Sequence, residues 1–505
     1  MPTTASKAGP WNVVAVNDSS HARSLSVGAV RMKSLMTFLM ALLWGTAAAA
    51  NGTHAAQPVA ATFRVTRQCG VAQDMQLDAD AALSNCPGKV SEVGAVMPAS
   101  EVAGRRLYLN ADLRFSAPDA INLSVLITAY HGNQVASHSG GNYLFNGGVL
   151  QASAYIPSEV DKVGVFIQVN SGPPRLDIHS LSLSRSSAVY APGQMSVDSE
   201  AYLERAFDKL SNYYLYYDAA RLRTLRHSAG ISASGAVSPT ELSLTLKDVT
   251  RLLDDPHSRF LSAAEVRTLG AAKGRVRAGS PSENPPDNQP IDATLLAPDL
   301  AYLKLVSKSA VTREARQRYA HQVRDVLLDM HTRGARRWII DLREQSGGST
   351  GPLIAGFRPL YGNIDVAYTV DRAGKRSRWA FGIPADSDDQ EPYFSGADPV
   401  FAGEREPVAL LIGKRTASAG EALLTAFLQR PYTATFGAAT AGLTTSVFDQ
   451  PWPDGASLAI STGRYADRNG QVVPEKIAPD HAVDVQAEDH RDAVFEAARH
   501  WISQL

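Results

Sequence analysis

From Leu300 to the C-terminus, short apolar runs alternate with amphipathic helical ones, and this alternation constrains the fold more than any other feature of the chain. "AYLKLV" at 301–306 reads as a strand, and "TREARQRYAHQVRDVLLDMHTRG" as a long helix ending at Gly334. "RRWIIDL" is a buried strand followed by the turn "REQSGGSTG", and "REPVALLIG" at 405–413 is another strand. A turn and helix, "GKRTASAGEALLTAF", cover 413–427. Strands near "TATFG" and "SLAIST" and a final helix from about 489 to 502 close the chain. Apolar runs of strand length between turn signals are buried strands, and 3.6-residue periodicity between them marks helices. Strands alternating with helices predict a sheet with helical cover, whose functional sites lie at the strand ends.

At 505 residues the chain is too long for one core. Between 104 and 185, segments such as "RLYLNADLRF", "INLSVLITAY" and "VGVFIQVNSG" alternate apolar and polar residues between Gly, Asn and Pro turns. This predicts a β-sandwich, jelly-roll-like in architecture. Within it Tyr130, Tyr143 and Phe145 are core or edge aromatics, or else a stacking platform for a glycan. Helical spacing follows at 198–217 and 238–255. Residues 266–292 are a Gly-, Pro- and Ser-rich linker. The expected organisation is a multidomain α/β (α+β) chain: an N-terminal extension and signal peptide over 1–50, a β-sandwich over 51–190, a small helical domain over 196–265, the linker, and a core over 293–505. Pro192 and Gly193 mark a junction at which the sandwich should be separable.

Hydrophobic residues make up 44% and charged ones 20%, and the net charge of −1 provides no global field toward nucleic acid or anionic membrane. "MKSLMTFLMALLWGTAAAANG", starting at Met32, has a basic Lys33, an apolar stretch from Leu35 to Trp44 and small residues at Ala47–Ala50. That pattern predicts a secretory signal peptide around 32–50, with the start at Met32 or at Met1 and an uncleaved anchor as the other reading. Export to the periplasm or beyond places Cys69 and Cys86, the two cysteines of the chain, in an oxidising compartment where a disulfide is expected, two free thiols being the other state. No cysteine/histidine pair has zinc spacing, and neither metal nor cofactor is implied.

Ser418 stands between a buried strand and a helix, three residues before Glu421. That spacing matches a capping box, a purely structural device. It also suits a nucleophile, because a strand-to-helix turn presents the hydroxyl clear of the backbone. The N–H of Ala419, at the positive end of the helix, then points at any oxyanion. Gly347 and Gly348, without Cβ atoms, let backbone approach the same place; a tight turn is the plainer reading.

Four stretches fall in order: "DDPHSRF" at 254–260, "IIDLREQSGG" at 339–348, "TASAGE" at 416–421 and "KIAPDHAV" at 476–483. Together they resemble the tail-specific, or carboxy-terminal processing, serine peptidase family over residues from about 198 onward. The resemblance implies a ClpP/crotonase-like core, Ser418 as nucleophile, and an oxyanion hole from the backbone of Ala419, Gly347 and Gly348. Much of the family uses a lysine as base, but in "ATAGLTTSV" at 439–447 Leu443 stands at that position. A second branch, with tricorn and the nisin resistance protein, uses a histidine in an Asp-x-His context, and His257 fits it. An ordinary imidazole, with a pKa near ~6.5, suits general-base work at neutral pH. Glu421 is expected to support the site. Asp254 and Asp255 either orient His257 or cap and solvate its turn, Asp341 and Arg343 pair structurally, and Asp480 packs. The interval from Leu261 to Leu300 is too short for the family's PDZ module.

The expectation is an exported serine peptidase acting on peptides or unfolded proteins, with glycan or cell-wall contact through the sandwich. One rival is an inactive peptidase-like binding protein working through its sandwich; the other, crotonase-like acyl-CoA chemistry, conflicts with export.

Overall fold

The computed structural model describes residues 56–505 apart from 78–80, 116–120, 146, 172–174, 269–290, 311, 362–365, 380–392, 395–400, 402–404 and 484–491. The signal-peptide reading and most of the linker reading lie outside the described residues.

The front of the chain forms two antiparallel sheets over a common core. One runs Gln57–Val59, Arg175–Arg185, Arg105–Arg114, Gly148–Ile156, with Ala82–Ser84 also on Arg175–Arg185. The other runs Val71–Gln76, Arg64–Gln68, Ser91–Pro98, Lys162–Ser171, Ile121–His131, Gln134–Phe145. The alternation that predicts these strands is visible in Ile121–His131, where Ile121, Leu123, Val125, Ile127 and Ala129 are all buried. The strands before residue 98 carry weaker patterns; Val71–Gln76 buries almost nothing, so sequence periodicity does not reveal it. Tyr143 and Phe145 belong to the core, which rules out their role in a stacking platform.

Cys69 and Cys86 are joined, with Cα atoms 5.3 Å apart. Thiol labelling of denatured, unreduced protein is expected to find no free cysteine. Cys69→Ala/Cys86→Ala should lower stability by about 2–4 kcal/mol, because the cross-link restricts the unfolded chain. Two labelled thiols would show the pair to be open in solution.

The helices Val197–Tyr213, Ala219–Ser232 and Ser243–Leu252 form a layer behind the sandwich. The first is capped by Ser196, whose hydroxyl accepts from Ser199 N. It stops at Tyr213, short of the expected 217, because Leu215 N donates to Ser461 O instead. Ala219–Ser232 is not legible in the sequence pattern; it buries only Leu222, Leu225 and Ala229.

The C-terminal part is built on a six-stranded sheet: Asp292–Ala297, Leu300–Lys308, Arg337–Gly348, Val408–Ile412, Thr433–Gly437, His481–Ala482. All its pairs are parallel except the first. Parallel strands are covered on both faces, and Val408–Ile412 shows how. Val408, Leu410 and Ile412 face the helices Arg313–Thr332, Thr350–Gly356 and Ala419–Phe427, while Ala409 and Leu411 face Ala493–Ile502. A second, antiparallel sheet contains Arg259–Leu261, Ser457–Asp467, Ala367–Asp371 and Arg376–Arg378, with Thr445–Pro451 also on Ser457–Asp467. Phe260, Leu458 and Ile460 of this sheet share a core with the three front helices.

Buried charges fasten the sandwich to the helical layer. Arg106 is fully buried on a sandwich strand; its guanidinium donates to Ser232 O, Ser234 O and Glu241 O and pairs with the Glu241 carboxylate at 3.3 Å. Lys247, equally inaccessible, donates to Asn142 O on the sandwich edge at 2.7 Å and to Phe260 O at 3.2 Å, and pairs with Glu265 at 2.8 Å. Glu265 also accepts from Leu144 N. These contacts across the junction weigh against the expected separability of the sandwich. Cutting at the Pro192–Gly193 junction would take Arg106 from Glu241, the Leu144 N–H from Glu265 and the Asn142 carbonyl from Lys247. A chain-path argument could not see this, because the contacts cross more than a hundred residues.

Candidate active site

Ser418 and His257, 161 residues apart in sequence, meet with Nε2 and Oγ 3.0 Å apart. The serine lies just past Val408–Ile412 and opens the helix Ala419–Phe427. Its φ of 50° is in the left-handed region, unusual for a residue with a side chain. Neighbouring bonds hold it there. Ala417 N donates to Gln345 O at 3.0 Å, and the Thr416 hydroxyl donates to Leu342 O at 2.9 Å. The Glu421 carboxylate accepts from Ser418 N at 2.9 Å. The residues of a capping box are in place, yet the serine hydroxyl makes no capping bond of normal geometry and is directed to the histidine.

Glu421 is buried and also accepts from Gly442 N and Leu443 N, each at 2.8 Å. Burial pushes its pKa up and these amides pull it back, leaving it raised. It ties the serine turn to the segment where Leu443 occupies the lysine position of the resembling family. It is also hydrogen-bonded to the Thr440 side chain, and its link to Ser418 is through the serine's backbone N–H.

His257 Nδ1 lies 2.7 Å from Thr445 Oγ1, which lies 3.0 Å from Ser461 Oγ. Among the described residues no carboxylate is hydrogen-bonded to the ring. Asp255 accepts from His257 N at 3.1 Å and from the Ser258 hydroxyl, which fixes the turn rather than the imidazole. Of the two roles open to Asp255, only the turn is realised. Burial, reinforced by the nearby Arg259 charge and opposed by Asp255, lowers the His257 pKa from 6.5 to about 4. Burial, which disfavours the charged ring, thus places its titration below the neutral range of an ordinary imidazole. Thr445 and Ser461 have no sequence signal, since a threonine and a serine in strands read as ordinary β residues.

Gly347 faces the serine: a Cβ there would stand 3.5 Å from Ser418 Cβ. Gly348 is packed tighter, and its missing Cβ would fall 2.1 Å from Lys308 O. Both have φ above 120°, which glycine alone adopts freely. The Gly347 N–H donates to Gln345 Oε1 at 3.1 Å, so one expected oxyanion donor is engaged by a side chain. Ala419 N is the first amide of its helix and has no intrahelical acceptor. Ser418, His257, Gly347 and Gly348 line a cleft of about 470 Å³, with Arg259, Arg316, Leu443, Phe448 and Asp449 on its walls. Arg343 pairs with Asp341 at 2.6 Å and Asp480 accepts from Thr435 N, both away from the cleft. Among the described residues no cluster of three His, Cys, Asp or Glu side chains gathers to hold a metal.

A serine hydroxyl on an imidazole, at the mouth of a parallel α/β sheet and beside a helix N-terminus, is the arrangement of serine hydrolases. Residues 299–483 match the profile of peptidase family S41. Carboxyl-terminal-processing peptidase 2, chloroplastic, of Arabidopsis thaliana is 27% identical over 260 residues, 49% of this chain and 44% of the relative. The chain thus spans less than half the length of that relative. A lipoprotein from Streptococcus agalactiae shares the fold, with a TM-score of 0.51 at 21% identity over 61% of this chain and 97% of that one. The photosystem II D1 C-terminal processing protease aligns with a TM-score of 0.41 at 14% identity, over 61% and 98% of the two chains.

Proposed function

We propose that this protein is an exported serine peptidase with a ClpP/crotonase-type core, in which Ser418 attacks the scissile carbonyl and His257 is the base. The observation that carries the reading is the 3.0 Å approach of His257 Nε2 to Ser418 Oγ across 161 residues, in a cleft lined by Gly347 and Gly348. In the productive tautomer Nδ1–H donates to Thr445 Oγ1, and Thr445 in turn donates to Ser461 Oγ. Nε2 is then left to accept the serine proton and later return it to the leaving amine. Ala419 N–H takes the developing oxyanion, with Gly348 as second donor and Gly347 giving room for the close approach. Leu443 cannot accept a proton, so no lysine serves in its place. The substrate is a peptide or an unfolded protein segment.

Fluorophosphonate labelling tests the reading: the wild-type serine should react, and Ser418→Ala should not. The pH dependence follows from the His257 pKa of about 4. Because the folded value lies below the ordinary one, the neutral ring persists down to that pH. Labelling should be flat through neutrality and fall about tenfold per unit below pH ~4. The same shift acts on stability. The unfolded state binds the proton first, so the contribution of neutral His257 is complete above pH 6.5 and is lost as the pH falls through about 4. A labelling midpoint near pH 9 would point to a lysine base and remove the assignment.

A further inference from the structure

Arg259 is the first residue of the strand Arg259–Leu261, two positions beyond His257. It pairs with Ala459, whose neighbour on the other side is Asp449. Directly paired residues project on one face of a sheet, so Arg259 and Asp449 flank Ala459 on the face that lines the cleft. Asp449 already accepts from the Ser457 hydroxyl at 2.6 Å. Arg259 is exposed, and among the described residues its side chain forms no hydrogen bond or ion pair. Arg316, from the first turn of Arg313–Thr332, lines the cleft as well. Arg259 thus brings to the cleft wall a guanidinium that no described carboxylate pairs with, on a chain whose net charge is −1. Local positive potential between low-dielectric walls gathers anions, and a guanidinium fork matches a carboxylate in two parallel bonds.

We propose that Arg259 is a specificity-determining residue that receives a carboxylate of the peptide held against Ser418. The inference rests on the peptidase reading and names the chemistry of its substrate: an acidic side chain or a free C-terminus, which present the same group. The location has a further effect. Arg259 and Asp255 are the charged groups that act on the His257 ring, in opposite directions. A carboxylate docked on Arg259 offsets its charge and makes the imidazole a stronger base when an acidic substrate is bound.

The test uses the full chain with Ser418→Ala and fluorescent peptides in which Glu, Gln or Lys is scanned through each position, with the C-terminus free or amidated. Anisotropy should show a Glu peptide binding roughly tenfold more tightly than its Gln isostere at one position, a difference typical of a charge-assisted bond. The advantage should weaken in high salt, fall to within about twofold in Arg259→Gln, be partly kept in Arg259→Lys, and turn toward Lys peptides in Arg259→Glu. If the advantage follows the free terminus instead of internal Glu, the carboxylate is that of the chain end. Equal binding of Glu and Gln peptides with no effect of amidation, preference surviving in Arg259→Gln, or no peptide binding at all overturns the inference. Preferential binding with a wild-type protein that neither labels nor hydrolyses would remove the peptidase reading and leave the carboxylate site standing.

Discussion

Ser418→Ala and His257→Ala are each expected to lower kcat/KM on a susceptible peptide by ~10³-fold or more, and the double variant is expected to be little worse than either alone. The non-additivity is the informative part. A base has value only through the hydroxyl it deprotonates, so once the serine is gone the histidine has nothing left to contribute. The geometry adds that neither change should unfold the protein. The Ser418 hydroxyl makes no capping bond of normal geometry, so its removal should cost less than the usual 0.5–2 kcal/mol of a lost cap. Alanine tolerates a φ of 50° no worse than serine does. Steady-state kinetics on the four proteins of the cycle, with thermal melts as a control, give the answer. Multiplicative effects, or a well-folded His257→Ala with near-wild-type turnover, would show that the two side chains do not act as a unit.

The second large effect is on stability. Lys247→Ala is expected to destabilise the protein by about 3–5 kcal/mol, because it leaves the Glu265 carboxylate buried beside an empty space. The pair is nearly inaccessible, and burial lowers the lysine pKa even with Glu265 opposing. Lys247→Met/Glu265→Gln, which removes both charges, should recover part of the loss, since Gln keeps one acceptor oxygen for either Leu144 N or Ser262 N, though not for both. Removing residues before Met195 should be at least as damaging, giving insoluble or molten protein rather than a free-standing peptidase. Denaturant titration of the full chain decides the matter. A small loss in Lys247→Ala, or a truncated chain that folds and cleaves, would make the sandwich a mere passenger.

The sequence reading succeeds where a single face dictates the pattern. The alternation in Ile121–His131 and Val408–Ile412, the Gly347–Gly348 turn and the Ser418 junction are each local signals, and Leu443 in place of a lysine directs attention to His257. It fails where the decisive partner lies far along the chain. Nothing near Thr445 announces that it would hold an imidazole ring, and the Arg106 and Lys247 contacts arise only once sandwich and helices dock. The basicity of His257 is likewise a property of its surroundings. The residue type suggests titration near neutrality, and burial moves it.

Lys247 binds sandwich, helix and the strand after His257 into one piece, and this has a consequence for the timing of activity. The base stands on the turn that leads into that strand, so the same lysine that holds the sandwich edge also anchors the ground on which His257 is mounted. A chain whose front had not docked would lack that anchor, and the site would then be completed by the closing of the whole fold rather than by any one of its parts.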